Sequence, residues 1–491
     1  MKRLLYLLAF FFLLQSCSLN PPYNRPSHTS PPNWRFAADN TSTANNFRWW
    51  KQFQDPILDA LICEALRYNY DIKIAAATVC AFYARLGIAA SAQYPQVNGN
   101  IVVGRQQTAT ALVPSLPGQA RIYNVYEGLL NFSFDLDLWG QLQSLTENAL
   151  YTYLSTIEAR RSIVLTVVSG VAAGYLLLRQ FDEQLKISND TLKSRIESLR
   201  LAKARFEGGQ TSLMEVRQAE SEVDDAKVQV IQFELQISLQ EDLISVLIGA
   251  NPSPILRGRS LETLPIPPHI PAGLPSFLLC QRPDIIGAEE LIIAANARIG
   301  AARAQFLPNI SLTGLYGTES TSLKSLFTNP AETWNYSLNA LQPIFTGGLL
   351  ISQVELSNAQ KCESINSYIK TIITAFQEVS DALISHQKAL ELAVVQKHNV
   401  EVLKDYLRLA TIQYNNGETD YLTFLDAERK LFNVELDYAT AQGDCLISVV
   451  ELYKALGGGW VIDADNISQL TPPCKTECRP SPTLIFEHVI Y

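Results

Sequence analysis

Apolar residues recur along this chain with two different periods, and the switch between them occurs twice in the same order. Leu130, Phe132, Phe134 and Leu136 alternate with Asn131, Ser133, Asp135 and Asp137, which predicts a strand with one apolar and one polar face. Later, Ile310 and Leu312 alternate with Asn309, Ser311 and Thr313, and Trp334, Tyr336, Leu338 and Ala340 alternate with Asn335, Ser337, Asn339 and Leu341. A further alternating run around Val97 to Val103 gives each half one expected hairpin. Elsewhere the apolar residues fall every seventh position. Leu185, Leu192, Leu199 and Phe206 are matched by Ala393, Val400, Leu407 and Tyr414, and Val216, Val223, Val230, Ile237 and Ile244 by Phe424, Leu431, Tyr438, Cys445 and Leu452. With Ala219, Ala226, Phe233 and Leu247 as a second seam, this is a coiled-coil pattern in duplicate.

Helix breakers agree with that reading. No proline occurs between Pro117 and Pro252, or between Pro343 and Pro472, so each half can hold very long helices. One such block, from Leu142 to Glu207, would extend about 100 Å as a single helix. The only hairpin signal in each block is a glycine turn: Phe206-Glu207-Gly208-Gly209-Gln210-Thr211-Ser212-Leu213 returns as Tyr414-Asn415-Asn416-Gly417-Glu418-Thr419-Asp420-Tyr421. Gly208, Gly209 and Gly417 are expected to supply the backbone freedom that reverses each helical pair. Upstream, Asp55-Pro56 reads as a cap and first helical position, with the helix continuing to about Ala92 before Pro95. A second such helix runs from Pro283 to Gln305 and ends before Pro308.

The N-terminus adds an address. Lys2 and Arg3 precede an apolar run from Leu4 to Leu14, an export signal too short to span a bilayer. Leu14-Gln15-Ser16-Cys17 resembles a bacterial lipobox, in which Cys17 carries diacylglycerol after cleavage, and Ser18 in the next position points to the outer membrane. A plain secretory signal is the alternative. The expected layout is a signal over residues 1–16, a lipid-anchored tether over 17–48, a first repeat over 49–250, a Pro-rich linker over 251–280, a second repeat over 281–460 and a tail over 461–491. Cys63, Cys80, Cys280, Cys362 and Cys445 read as small buried hydrophobes; Cys474 and Cys478 are close enough to form a local disulfide or remain free thiols. The net charge of −9 provides no basic stripe for nucleic acid, and no metal site is expected.

Beyond the leader no run of eighteen apolar residues appears, so a membrane crossing must be made by strands. Four amphipathic strands are too few to enclose water, since transmembrane barrels start at about eight. The expected architecture is therefore an α+β membrane protein whose barrel is shared among chains, apolar face to lipid and polar face to a lumen, with the helical rods continuing the tube below. Asp135 and Asp137 are expected on the lumen side.

Three long segments carry a resemblance. QRPDIIGAEELIIAANARIGAARAQFLPNISLTGLYG (Gln281 to Gly317), YNNGETDYLTFLDAERKLFNVELDYATAQ (Tyr414 to Gln442) and LYKALGGGW (Leu452 to Trp460) resemble, in order, the signatures of TolC/OprM-type outer-membrane efflux proteins, in their NodT-like lipoprotein branch. The resemblance implies a homotrimer with a twelve-stranded barrel and a helical periplasmic tunnel, docked to a periplasmic adaptor (membrane fusion protein) and through it to an inner-membrane pump. It places Asp426 in the tunnel near its periplasmic end; Thr423 stands where the TolC branch has another acid, and Asp420 is a third candidate for the gate. An ordinary surface acid is the competing reading of Asp426. The turns at Gly208, Gly209, Asn416 and Gly417 are the implied adaptor contacts. Apart from lipid on Cys17, no cofactor is implied.

The leading reading is a passive exit duct for small molecules such as drugs. A polypeptide secretion duct and a structural lipoprotein spanning the envelope are the alternatives. An enzyme is disfavoured, because His28, His269, His386, His398 and His488 are scattered and no nucleophile stands beside a base.

Overall fold

The computed structural model describes residues 19–36, 48–108, 122–265, 275–457 and 460–469. The expected signal, Cys17, Cys474 and Cys478 lie outside these residues. The elements are α1 (Pro56–Tyr68), α2 (Tyr70–Ser91), β1 (Gln96–Gln107), β2 (Ile122–Leu136), α3 (Gln141–Glu207), α4 (Leu213–Leu247), α5 (Pro275–Gln281), α6 (Pro283–Ala304), β3 (Asn309–Ser320), β4 (Glu332–Leu341), α7 (Leu349–Asn415), α8 (Tyr421–Leu456) and α9 (Trp460–Gln469). The chain forms two compact units, and each takes a share of both repeats: one holds the described residues to Ser27 with Val79–Thr156 and Gly287–Tyr368, the other His28–Thr78, Ile157–Ile286 and the chain from Ile369.

The first unit is built on one antiparallel sheet in the order β1-β2-β3-β4. Both expected hairpins are present, and β2 also pairs with β3, so strands of the two repeats join directly. The register places Phe132 opposite Val97 and Gly314, and Leu312 opposite Phe134 and Leu338. One face therefore gathers Val97, Ile101, Leu130, Phe134, Leu312, Trp334, Tyr336 and Leu338; the other gathers Asn98, Asn131, Asp135, Ser311, Thr313, Ser337 and Asn339. The polar face is knit by Thr313 and Ser337 at 2.8 Å. Strands β1 and β4 are each paired on one side only among the described residues.

The described start of the tether is extended and fastened in the same unit. Asn20 donates to Glu147 at 2.6 Å, Tyr23 donates to Glu289 at 3.0 Å, and Arg25 pairs with Glu289 at 2.7 Å. Ser144 donates to Asn20, and Asn296 donates to the Pro21 carbonyl.

In the second unit, Asp55 caps α1 as expected, accepting from the amides of Ile57 and Leu58. The helix expected to reach Ala92 is broken at Asn69. There Asn69 Oδ1 accepts from the Ile72 amide at 3.0 Å, starting α2, while its Nδ2 donates to the Leu247 carbonyl at 2.8 Å. A side chain serving two helix ends takes the place of one continuing turn.

The duplication holds to the residue in the rods. Helices α3 and α7 are each 67 residues long. Of the positive-φ glycines, Gly140, Gly209 and Gly249 return 208 positions later as Gly348, Gly417 and Gly457, so helix starts and stops use left-handed backbone at the same places.

Packing departs from the expected seam in α3. Ser188, Arg195 and Ala202 are the buried seventh residues, while Leu185, Leu192 and Leu199 are half-buried and Phe206 is exposed. The seam of α4 is as read at Val216, Ala219, Val223, Ala226, Phe233, Ile237 and Ile244, all buried. A second apolar stripe on α4, Val228, Ile231, Leu235, Leu239, Leu243 and Val246, is between 48% and 64% exposed. Of the cysteines expected to be buried, only Cys445 is; Cys63 and Cys80 are half-buried, and Cys280 and Cys362 are exposed, because periodic sequence marks a helix without fixing which face is covered.

Candidate functional site at the helix-hairpin turns

Both long helices end in the same motif. The Gly209 and Gln210 amides donate to the Phe206 and Arg205 carbonyls, and the Gly417 and Glu418 amides donate to those of Tyr414 and Gln413. With φ of 70° at Gly209 and 75° at Gly417, each is a Schellman turn, which satisfies the last carbonyls with a residue in left-handed conformation. The expectation that Gly208 also supplies left-handed freedom is corrected: its amide makes an ordinary helical bond to the Ala204 carbonyl, and its counterpart is Asn416, which carries a side chain in the same role.

The two turns pack side by side. Ala202, Val216, Ala219, Tyr421 and Leu425 form a buried cluster, covered by Leu199, Tyr414 and Phe424. Arg205 stacks on the Tyr414 ring at 4.7 Å and reaches Asn415 Oδ1 at 3.4 Å; the Tyr414 hydroxyl donates to Glu215 at 3.4 Å. Burial raises the pKa of Tyr414.

The expected gate residues divide into two local arrangements. Asp420 caps α8: its Oδ1 accepts from the Thr423 amide at 3.0 Å and from the Thr423 hydroxyl at 2.7 Å. These hydrogen bonds, the hydroxyl first, hold the Asp420 carboxyl below its usual pKa. Asp426 is half-exposed one turn further on and pairs with Lys430 of the same helix at 2.8 Å. In the sheet, Asp135 is exposed opposite Ser311. Asp137 falls beyond the last residue of β2, and its Oδ2 accepts from the Gln143 amide at 2.8 Å, so it caps the start of α3.

A buried charge network, not anticipated from the sequence, lies further along the same helices. Glu222 on α4 receives Arg195 from α3 at 3.1 Å and Arg429 from α8, whose Nε donates at 2.6 Å. Arg195 also donates to the Glu222 carbonyl at 2.9 Å and lies 5.2 Å over the Phe432 ring. Glu222 and Arg195 are almost fully buried, whereas the Arg429 side chain is 51% exposed. Truncating Glu222 would leave Arg195 buried without a counter-ion, a change that typically costs 3–5 kcal/mol. Beside them, Glu428 accepts from Ser194 at 3.3 Å. Burial raises its pKa, Arg195 and the Ser194 hydroxyl oppose the shift, and Glu222 adds to it. Nothing local in the sequence brings repeats some 200 residues apart together.

A sheet polar on one face and apolar on the other, carried in one chain with duplicated long helical hairpins, defines an α+β outer-membrane channel subunit. Residues 61–250 and 274–458 match the family described as outer membrane efflux protein. The toluene efflux pump outer membrane protein TtgC of Pseudomonas putida is 37% identical over 476 residues, spanning 95% of this chain and 98% of that one. The cation efflux system protein CusC of Escherichia coli is 32% identical over 460 residues, spanning 91% and 96%. The solved CmeC outer membrane channel of Campylobacter jejuni superposes with a TM-score of 0.86 at 26% identity, covering 92% of this chain and 98% of that one. The chain belongs to the outer membrane efflux protein family, and it is the outer-membrane channel component of an efflux system.

Proposed function

We propose that three copies of this chain form one passive exit duct, with twelve strands in the outer membrane and the helical hairpins forming a periplasmic tunnel. The observation that carries this reading is a pair of incomplete surfaces. Among the described residues, strands β1 and β4 are each paired on one side only, and α4 carries an apolar stripe that those residues leave uncovered. Exposed edges and long apolar stripes are liabilities that closure by identical neighbours removes.

The polar face, with Asp135, lines the lumen and favours cations. The turns at Gly208, Gly209, Asn416 and Gly417 meet a periplasmic adaptor that couples the duct to an inner-membrane pump, and the pump supplies the energy. Lipid on Cys17 adds an anchor in the outer membrane, where two or three acyl chains give stable attachment. The chain itself catalyses no reaction.

The gate is assigned to Asp426, with Thr423 and Asp420 beside it. Three carboxylates brought around one axis would repel one another and attract cations. Lys430 moderates that repulsion, and Thr423 brings no charge, so the constriction is only mildly acidic. The cargo is small molecules, with apolar ones favoured because the toluene-pump relative is more similar than the cation-system relative. Planar bilayers test the reading. Purified protein should give small unitary steps that increase in Asp426→Ala; absence of any step from either protein would overturn it.

A further inference from the structure

Two open cavities of the second unit meet at Glu428. One, of about 410 Å³, mixes both signs of charge on its walls, with Lys186 paired to Glu183 and Lys404 to Glu435. The other, of about 350 Å³, is walled by Tyr414, Tyr421 and Phe424 and has no basic side chain among its lining residues. Ser194, Leu407 and Glu428 line both and form their common boundary. The volume of each lies within the range of small-molecule sites, about 300–1,000 Å³.

Glu428 is only 7% exposed, yet among the described residues it makes no ion pair and accepts one hydrogen bond, from Ser194. The nearby Arg195 is committed to Glu222 through both its carboxylate and its carbonyl. A buried carboxylate without its own counter-cation is costly, and a ligand that brings a positive charge relieves that cost. The rings beside it are suited to the body of such a ligand: Tyr421 and Phe424 have centroids 5.9 Å apart. Their neighbour Tyr414 already holds the Arg205 guanidinium over its face, the attraction that an aromatic quadrupole offers any cation.

We propose that the smaller cavity binds an organic monocation with an aromatic body, its charge against Glu428 and its body against Tyr421 and Phe424. The inference stands apart from the duct: such a site would bind its ligand whether or not the chain conducts.

Rhodamine 6G titrated into the purified full-length protein in detergent, followed by fluorescence anisotropy against protein-free micelles, tests it. Saturable binding is expected, with affinity lowered at least tenfold in Glu428→Gln and changed by less than twofold in Glu197→Gln, which removes an exposed acid of the same wall. Leu407→Trp, which fills part of the smaller cavity without altering charge, should also abolish binding. Absence of saturable binding to the wild-type protein, equal affinity in Glu428→Gln, or equal losses in Glu428→Gln and Glu197→Gln would each overturn the proposal.

Discussion

Asn69 and Arg282 hold the same place in the two repeats, each one residue before a 22-residue helix, and each donates at 2.8 Å to a carbonyl in the last turn of a returning rod helix. The carbonyls, Leu247 and Ala455, are themselves equivalent. The two side chains differ because Arg282 has further partners: it grips both oxygens of Asp284 and pairs with Glu378 at 2.7 Å, and its stem leaves no room for a Cβ at Gly457. Arg282→Lys keeps the charge and loses the planar fork. It should cost roughly 2 kcal/mol, read as a lower melting temperature of the purified protein.

The hairpin turns make a paired prediction. Gly209→Ala forces a side chain into left-handed backbone and should destabilise by roughly 1–2 kcal/mol. Gly208→Ala, whose backbone is not left-handed, should be nearly neutral. Thermal melts of the two variants side by side check this.

Glu428 sets a pH dependence. Its folded pKa is raised by burial, so the stability it contributes is present below the ordinary carboxylate value and is lost as pH rises through the raised one. Glu428→Gln should therefore match the wild-type protein at low pH and exceed it at neutral pH, by a melting temperature of order 2 °C. A melting series across that range checks the sign.

The sheet predicts opposite outcomes at adjacent residues. Leu312 lies on the apolar face and Thr313 on the polar face. Leu312→Arg should hinder insertion into lipid by about 2–4 kcal/mol near the bilayer midplane, while Thr313→Arg should insert normally. Recovery of heat-modifiable, membrane-embedded protein distinguishes them.

How much of this was legible in the sequence depends on the range of the contact. The faces of β2, β3 and β4 were readable because alternation is local, and the turns at Gly209 and Gly417 because a left-handed cap needs glycine. The break at Asn69 was hidden: an asparagine looks like any helix-surface residue until its Nδ2 is seen on Leu247. Pairing of β2 with β3 and the Arg195, Glu222 and Arg429 network depend on where the repeats meet, which no local period encodes. The leucines of α3 were misplaced for a related reason. A heptad names candidate faces, and the buried choice of Ser188, Arg195 and Ala202 was made by the neighbouring helices.

The mass of the intact assembly, measured by native mass spectrometry on detergent-extracted full-length protein, separates a shared barrel from an isolated chain. Complexes of three chains are expected, because the edges of β1 and β4 and the exposed stripe of α4 are completed by neighbours. A stable, folded, single-chain species as the sole product would contradict it.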